Sequence, residues 1–117
     1  MAVKKIVANI QSDQVEDAHR FYSQLLGLEV VMDMGWIVTF ASGQKAPVQL
    51  SVASEGGSGT PVPDLSIEVD NVEYLYHQAK SLGFPITYEL TLEPWGVHRF
   101  FVRDPFGNLV NILSHSD

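Results

Sequence analysis

Apolar and polar positions alternate at period two along most of this chain. The alternation gives way twice to a stripe recurring every three to four residues. Residues 3–11 (VKKIVANIQ) predict a strand. Ser12 and Asp13 follow as helix N-cap candidates, with Glu16 placed as a capping-box partner. Val15, Ala18, Tyr22, Leu25 and Leu26 form the apolar stripe of a helix over about Val15 to Leu26, and Gly27 ends it. Strands are predicted at 29–34, 36–41 and 48–54, with a tight turn at Gly35 and a loop over Ser42, Gly43, Gln44 and Lys45.

Residues 55–63 (EGGSGTPVP) have the composition of a flexible linker that stiffens at two prolines. The pattern then starts again. Residues 64–69 predict a strand, and Asp70 caps a helix, with Glu73 three residues later. Val72, Leu75, Tyr76, Ala79 and Leu82 form its stripe, and Gly83 stops it. A strand at 86–90 precedes Glu93-Pro94-Trp95-Gly96. The stretch VHRFFVRDPFGNLVNIL, Val97 to Leu113, then reads as two strands joined by a turn over Asp104 to Asn108.

Each half is therefore β-α-β-β-β: module 1 at 3–54, linker at 55–63, module 2 at 64–114 of one domain. Asp13, Val15 and Glu16 map onto Asp70, Val72 and Glu73 with a shift of 57 (70 − 13). Gly27 maps onto Gly83 with a shift of 56, and Gly43 onto Gly107 with a shift of 64. The shift of 57 also assigns faces. Ala8, Ile10, Leu65, Ile67 and Val69 point toward the helices, because a helix must cover an apolar sheet face. Asn9 and Gln11 fall with Asp64, Ser66 and Glu68 on the opposite, mixed face. On the last strand pair that face holds Arg99, Phe101, Arg103, Leu109, Asn111 and Leu113.

Composition narrows the functional classes. The 117 residues suit one domain, and 45% hydrophobic content supplies a core. A net charge of −7 without a basic cluster argues against nucleic acid and anionic membrane as partners and favours a neutral or cationic ligand. With no cysteine, disulfides and thiol catalysis are excluded. The apolar run after Lys4 and Lys5 is too short for a signal segment, so a cytoplasmic location is expected.

The helix ending Phe21-Tyr22-Ser23-Gln24-Leu25-Leu26-Gly27-Leu28, the helix start Val69-Asp70-Asn71-Val72, the turn Asp104-Pro105-Phe106-Gly107-Asn108 and the double module together resemble the vicinal oxygen chelate group, or glyoxalase/bleomycin resistance/extradiol dioxygenase superfamily. The resemblance covers nearly the whole chain. It implies an α+β fold of two βαβββ modules, curved mixed sheets around a cup-shaped cavity, helices on the outer face, and a homodimer. Enzymes of the group hold a divalent metal at places that fall here on Val7, about Gln49, Asp64 and Asn111. One carboxylate, two amides and a valine make a poor set for metals that prefer imidazole and carboxylate, so neither metal nor cofactor is expected. Bleomycin-resistance proteins carry a similar Pro-Trp-Gly, here Pro94-Trp95-Gly96.

Two readings stand for each candidate. Asp64 and Glu68 could be a metal or proton-transfer pair, or solvated strand residues, or ion-pair partners of Arg99 and Arg103. Asn111 could orient a ligand by donating and accepting at once, or be a satisfied polar residue at a strand end. Trp36, Tyr88, Trp95 and Phe101 could form aromatic walls or ordinary core. Trp36, as the repeat partner of Phe100, reads as core; Trp95 lies in a loop where its ring must still find cover. No two of His19, His77, His98 and His115 have metal-site spacing. Gly56 to Thr60 lacks the lysine and the helix of a phosphate loop. The leading expectation is metal-independent binding of a small, partly aromatic molecule by Asn9, Gln49, Asp64, Tyr88, Trp95, Phe101 and Asn111, with no catalytic residue. The alternatives are a metal-dependent lyase or dioxygenase with an atypical site, and a regulatory domain with a vestigial cavity.

Overall fold

Each run of alternating residues forms a strand, and the two interruptions form the helices. A computed structural model describes residues 1–43 and 49–115. Its strands are β1 (Val3–Gln11), β2 (Glu29–Asp33), β3 (Ile37–Ala41), β4 (Gln49–Ala53), β5 (Leu65–Val69), β6 (Ile86–Glu93), β7 (Val97–Arg103) and β8 (Leu109–His115). The helix α1 (Val72–Ser81) follows β5. After β1 come a 3-10 turn at Val15–Asp17 and a π-helical segment at His19–Leu25. The element order is thus βαβββ twice, an α+β fold. The expected loop residues Gln44 and Lys45 and the expected strand start Val48 lie outside the described residues.

The chain divides into two units: one is Val7–Val62, and the other comprises Pro63–Asp117 together with Met1–Ile6. Within the first, the strand order is β2-β3-β4-β1. β1 runs parallel to β4, with Asn9 beside Ser51, and β3 is antiparallel to both β2 and β4. Its core is Val15, Val38, Phe40 and Val52, with Ala18, Tyr22, Leu28 and Leu50 packed around them. Leu25 and Leu26 do not join the stripe and are 68% and 55% exposed. The segment closes i→i+5 bonds, such as Leu26 N–H to the Phe21 carbonyl, so a stripe spaced for an α-helix rotates off the covered face. Ile10 shares the face of its β4 partner Val52, as expected, yet is exposed.

The second unit repeats the arrangement as β5-β8-β7-β6. Val69, Val72, Tyr76 and Phe100 form its core, backed by Ile67, Leu75, Ala79, Val102 and Ile112. Asn71, not Asp70, is the N-cap of α1, its Oδ1 accepting from Tyr74 N–H at 3.1 Å. Asp70 instead holds the amino-terminal stretch by accepting from Ala2 N–H at 2.9 Å, which keeps its carboxyl below the usual carboxylate range. In the first unit the N-cap is Gln14, without a side-chain bond, and Ser12 Oγ accepts from Gln14 N–H. The two N-caps are also 57 apart (71 − 14).

The expected flexible linker is a hydrogen-bonded loop. Gly56 N–H donates to the Thr60 carbonyl at 2.8 Å, and Thr60 Oγ1 donates to the Gly57 carbonyl at 2.8 Å. Gly56 packs so closely that a Cβ there would lie 2.1 Å from the Pro61 carbonyl oxygen, so only glycine fits. Among the described residues, no helix is long and apolar enough to cross a membrane.

Candidate functional site

The site is built on the mixed face of β8, β7 and β6 by register and by one irregularity. Parallel pairing sets Ser66 of β5 beside Asn111, and antiparallel pairing sets Asn111 opposite Phe101. Phe101 is in turn opposite Tyr88. Strict alternation would put Tyr88 on the same face as Ile86, which packs toward α1. The register shifts between Ile86 and Tyr88 and again between Tyr88 and Thr91, and these bulges turn the Tyr88 ring to the Phe101 side. The rings of Tyr88 and Phe101 lie 5.2 Å apart, tilted by 47°. The first unit bears a bulge at the equivalent place, between Val30 and Met32 opposite Phe40 and Thr39.

β6 continues three residues past its expected end and brings Glu93 into the site. The turn over residues 94–96 closes with Gly96 N–H on the Glu93 carbonyl and with Gly96 at φ 86°, a three-residue hairpin loop whose last position favours glycine. Glu93 thereby pairs with Val97 and shares the face of Arg99. Arg99 Nη2 lies 2.6 Å from Glu93 Oε2, with the two side chains 4% and 3% exposed. The Tyr88 hydroxyl donates to the same carboxylate at 3.2 Å. Three rings surround the guanidinium: Phe101 at 4.8 Å, Trp95 at 5.1 Å and Tyr88 at 5.3 Å from their centroids. The half-buried Trp95 thus finds its cover against Arg99.

Of the expected site residues, Tyr88, Trp95, Phe101 and Asn111 come together in this unit. Asn111 is 7% exposed; its Nδ2 donates to Ser66 Oγ at 3.1 Å, and its Oδ1 is buried without a partner. Asp64 is exposed at the start of β5, where its Oδ2 accepts from Leu109 N–H at 2.8 Å. Asn9 and Gln49 belong to the other unit. There the half-buried Asn9 sits in a row with Ser51 and Thr39, whose hydroxyls share a buried 2.6 Å bond. With Asn9 equivalent to Ser66 through the N-cap shift, the first-unit counterpart of Asn111 is Ser51 rather than Gln49, which lies two residues earlier on β4.

The expected ion pairs of Asp64 and Glu68 with Arg99 and Arg103 do not form. Arg99 takes Glu93, while Arg103 Nη1 donates to the Gly107 carbonyl at 3.0 Å. Glu68 faces Lys5 at 3.6 Å and His115 at 4.0 Å. The alternation ends the predicted strand at residue 90, three residues short of Glu93. Parity across the short Pro94-Trp95-Gly96 turn would have placed it on Arg99's face. An open hollow on the first helical segment, lined by Asp17, Arg20, Phe21, Gln24 and Leu25, shares none of these residues.

The donor set does not fit the divalent metal that the resemblance implies. Val7 carries no donor, the Asp64 carboxylate is engaged by a backbone N–H, and the Asn111 amide is held by Ser66. Among the described residues, no three His, Cys, Asp or Glu side chains gather where they could hold a metal ion.

Residues 5–112 match the sequence model of the Glyoxalase/Bleomycin resistance protein/Dioxygenase superfamily. No curated protein matches the chain. Solved structures share its fold. A Legionella pneumophila protein described as NAD-dependent benzaldehyde dehydrogenase is 17% identical with a TM-score of 0.77, over 96% of this chain and 100% of its own. A superfamily member from Vibrio splendidus is 17% identical with a TM-score of 0.67, over 97% and 99%. Methylmalonyl-CoA epimerase from Mycobacterium tuberculosis is 16% identical with a TM-score of 0.65, over 98% and 88%.

Proposed function

The chain belongs to the Glyoxalase/Bleomycin resistance protein/Dioxygenase superfamily, and from that premise we propose that it binds a small, partly aromatic molecule without a metal and sequesters it, in the manner of drug-binding members. The observation that carries this reading is the convergence of Tyr88, Trp95 and Phe101 around Arg99, with the buried Asn111 amide across the ladder from Phe101. Aromatic faces with a few placed polar atoms are what a planar organic ligand needs. The charge of Arg99 is balanced by Glu93, so the wall is close to electrically neutral. Sequestration acts by mass action and needs no nucleophile or general base.

Asn9 and Gln49 are proposed as ligand contacts within the first unit, and Asp64 at the edge of the second-unit wall. The test is a thermal-shift screen of aromatic antibiotics and metabolites, run with and without a chelator. A binder at about 100 times its Kd stabilises by about 2.7 kcal/mol, and chelation leaves that shift unchanged. Stoichiometric zinc, iron, nickel or manganese in protein purified without added metal would overturn the reading in favour of a metal-dependent lyase or dioxygenase.

A further inference from the structure

We infer that the molecule held at this site presents an N–H or O–H donor to Asn111 Oδ1; the inference rests on the binding reading above and specifies its chemistry. A carboxamide has two hydrogen-bonding ends, and the surroundings of Asn111 treat them differently. Its Nδ2 donates to Ser66 Oγ at 3.1 Å, which fixes the plane of the amide. Its Oδ1 is buried and has no partner among the described residues. A buried acceptor left unsatisfied is costly, and such groups in folded proteins are nearly always paired.

The neighbouring groups do not supply that partner. The ring of Phe101, directly across the ladder, has no donor. The Tyr88 hydroxyl beyond it is directed to the Glu93 carboxylate at 3.2 Å. The Arg99 guanidinium gives its Nε and Nη2 to the same carboxylate at 2.8 and 2.6 Å. Phe101 is 1% exposed and backs the wall, so the wall offers a ligand the half-buried rings of Tyr88 and Trp95 and one carbonyl acceptor. A planar N–H or O–H compound, such as a fused heteroaromatic, a phenol or an aryl amine, satisfies both. An analogue with a ring oxygen at that place sets two acceptors against each other and leaves Asn111 unsatisfied.

Indole and benzofuran test this, because they share a bicyclic shape and differ in N–H against O. Their affinities are measured by ligand-detected NMR on the wild-type protein, and on Asn111→Leu and Ser66→Ala once circular dichroism shows them folded. Indole is expected to bind about tenfold more tightly than benzofuran, a typical worth of a buried donor–acceptor match. The ratio should fall toward one in Asn111→Leu and shrink in Ser66→Ala, which frees the amide to turn. The wild-type comparison decides the matter even if neither variant folds. Equal affinities, or tighter binding of benzofuran, overturn the donor requirement while leaving aromatic binding in place. Binding of neither probe overturns both.

Discussion

Glu93 and Arg99 form an ion pair inside the wall of the second unit: Nε and Nη2 reach the same carboxylate oxygen at 2.8 and 2.6 Å, with both side chains almost wholly buried. Removing one partner of such a pair strands the other charge, which costs about 3–5 kcal/mol. Glu93→Ala and Arg99→Ala should each destabilise by about that much in urea unfolding. The double variant Glu93→Leu with Arg99→Met should cost well under the sum, because no charge is then left buried. Additive losses within about 0.5 kcal/mol would show that the two side chains are energetically independent.

The turn that joins β7 to β8 depends on one backbone conformation. Gly107 sits at φ 83°, and a Cβ there would meet nothing within 4 Å. The cost of a side chain is therefore conformational and not steric. Gly107→Val should destabilise by about 1–3 kcal/mol, and Gly107→Asn by clearly less, since asparagine tolerates the left-handed region. An unchanged melting temperature for the valine variant would contradict this account of the turn.

That same turn carries an acid-sensitive group. The Asp104 carboxylate accepts from Asn108 Nδ2 at 2.9 Å and from the Asn108 and Phe106 N–H groups at 2.8 and 2.9 Å. The Asn108 side chain is the largest influence holding its pKa below the ordinary 3.8, and the two backbone donors add to it. The folded form thus prefers the charged carboxylate. Its stabilising effect is complete above pH 3.8 and is lost as pH falls through the lower folded value. Asp104→Asn should flatten the dependence of the urea midpoint on pH in this acid range. Asp70 and Glu89, lowered in the same direction, leave a residual slope. An identical slope in wild type and variant would show that Asp104 does not report on folding.

How much of this was legible follows from what pattern counting can see. Period and punctuation located the elements, because Gly27, Gly83 and the Asp104 to Asn108 turn mark ends that side-chain spacing also requires. Alternation assumes an unbroken ladder, so it cannot show that bulges turn Tyr88 to the face of Phe101. The stripe through Leu25 and Leu26 assumed α-helical pitch, and the π-helical turns moved both side chains outward. Asp70 and Asn71 are equally good caps by composition. The choice fell to Asn71 because Asp70 is taken by Ala2, a contact 68 residues away in sequence. The aromatic residues were visible as candidates, but the charge at their centre was not, since Arg99's partner is fixed by the length of β6.

The exposed apolar residues of the first unit point to self-association. Every residue of β2 is exposed, with Val30, Val31 and Met32 at 40%, 53% and 38%, and Phe21, Leu25 and Leu26 are exposed on the helical segment. Glu29 and Asp33 bracket β2, and their charges oppose edge-to-edge addition of a second β2. The apolar side chains, rather than the strand edge, are then the adhesive surface. We propose a symmetric homodimer that buries Phe21, Leu25, Leu26 and Val31. Sedimentation at micromolar concentration should give a species of twice the 13.0 kDa chain mass. Leu25→Glu combined with Leu26→Glu should convert it to monomer. The folded monomer should lose little of its own stability, because both side chains already face solvent. A wild-type protein that sediments only as the 13.0 kDa chain would refute the dimer, and a double variant that stays dimeric would move the interface elsewhere.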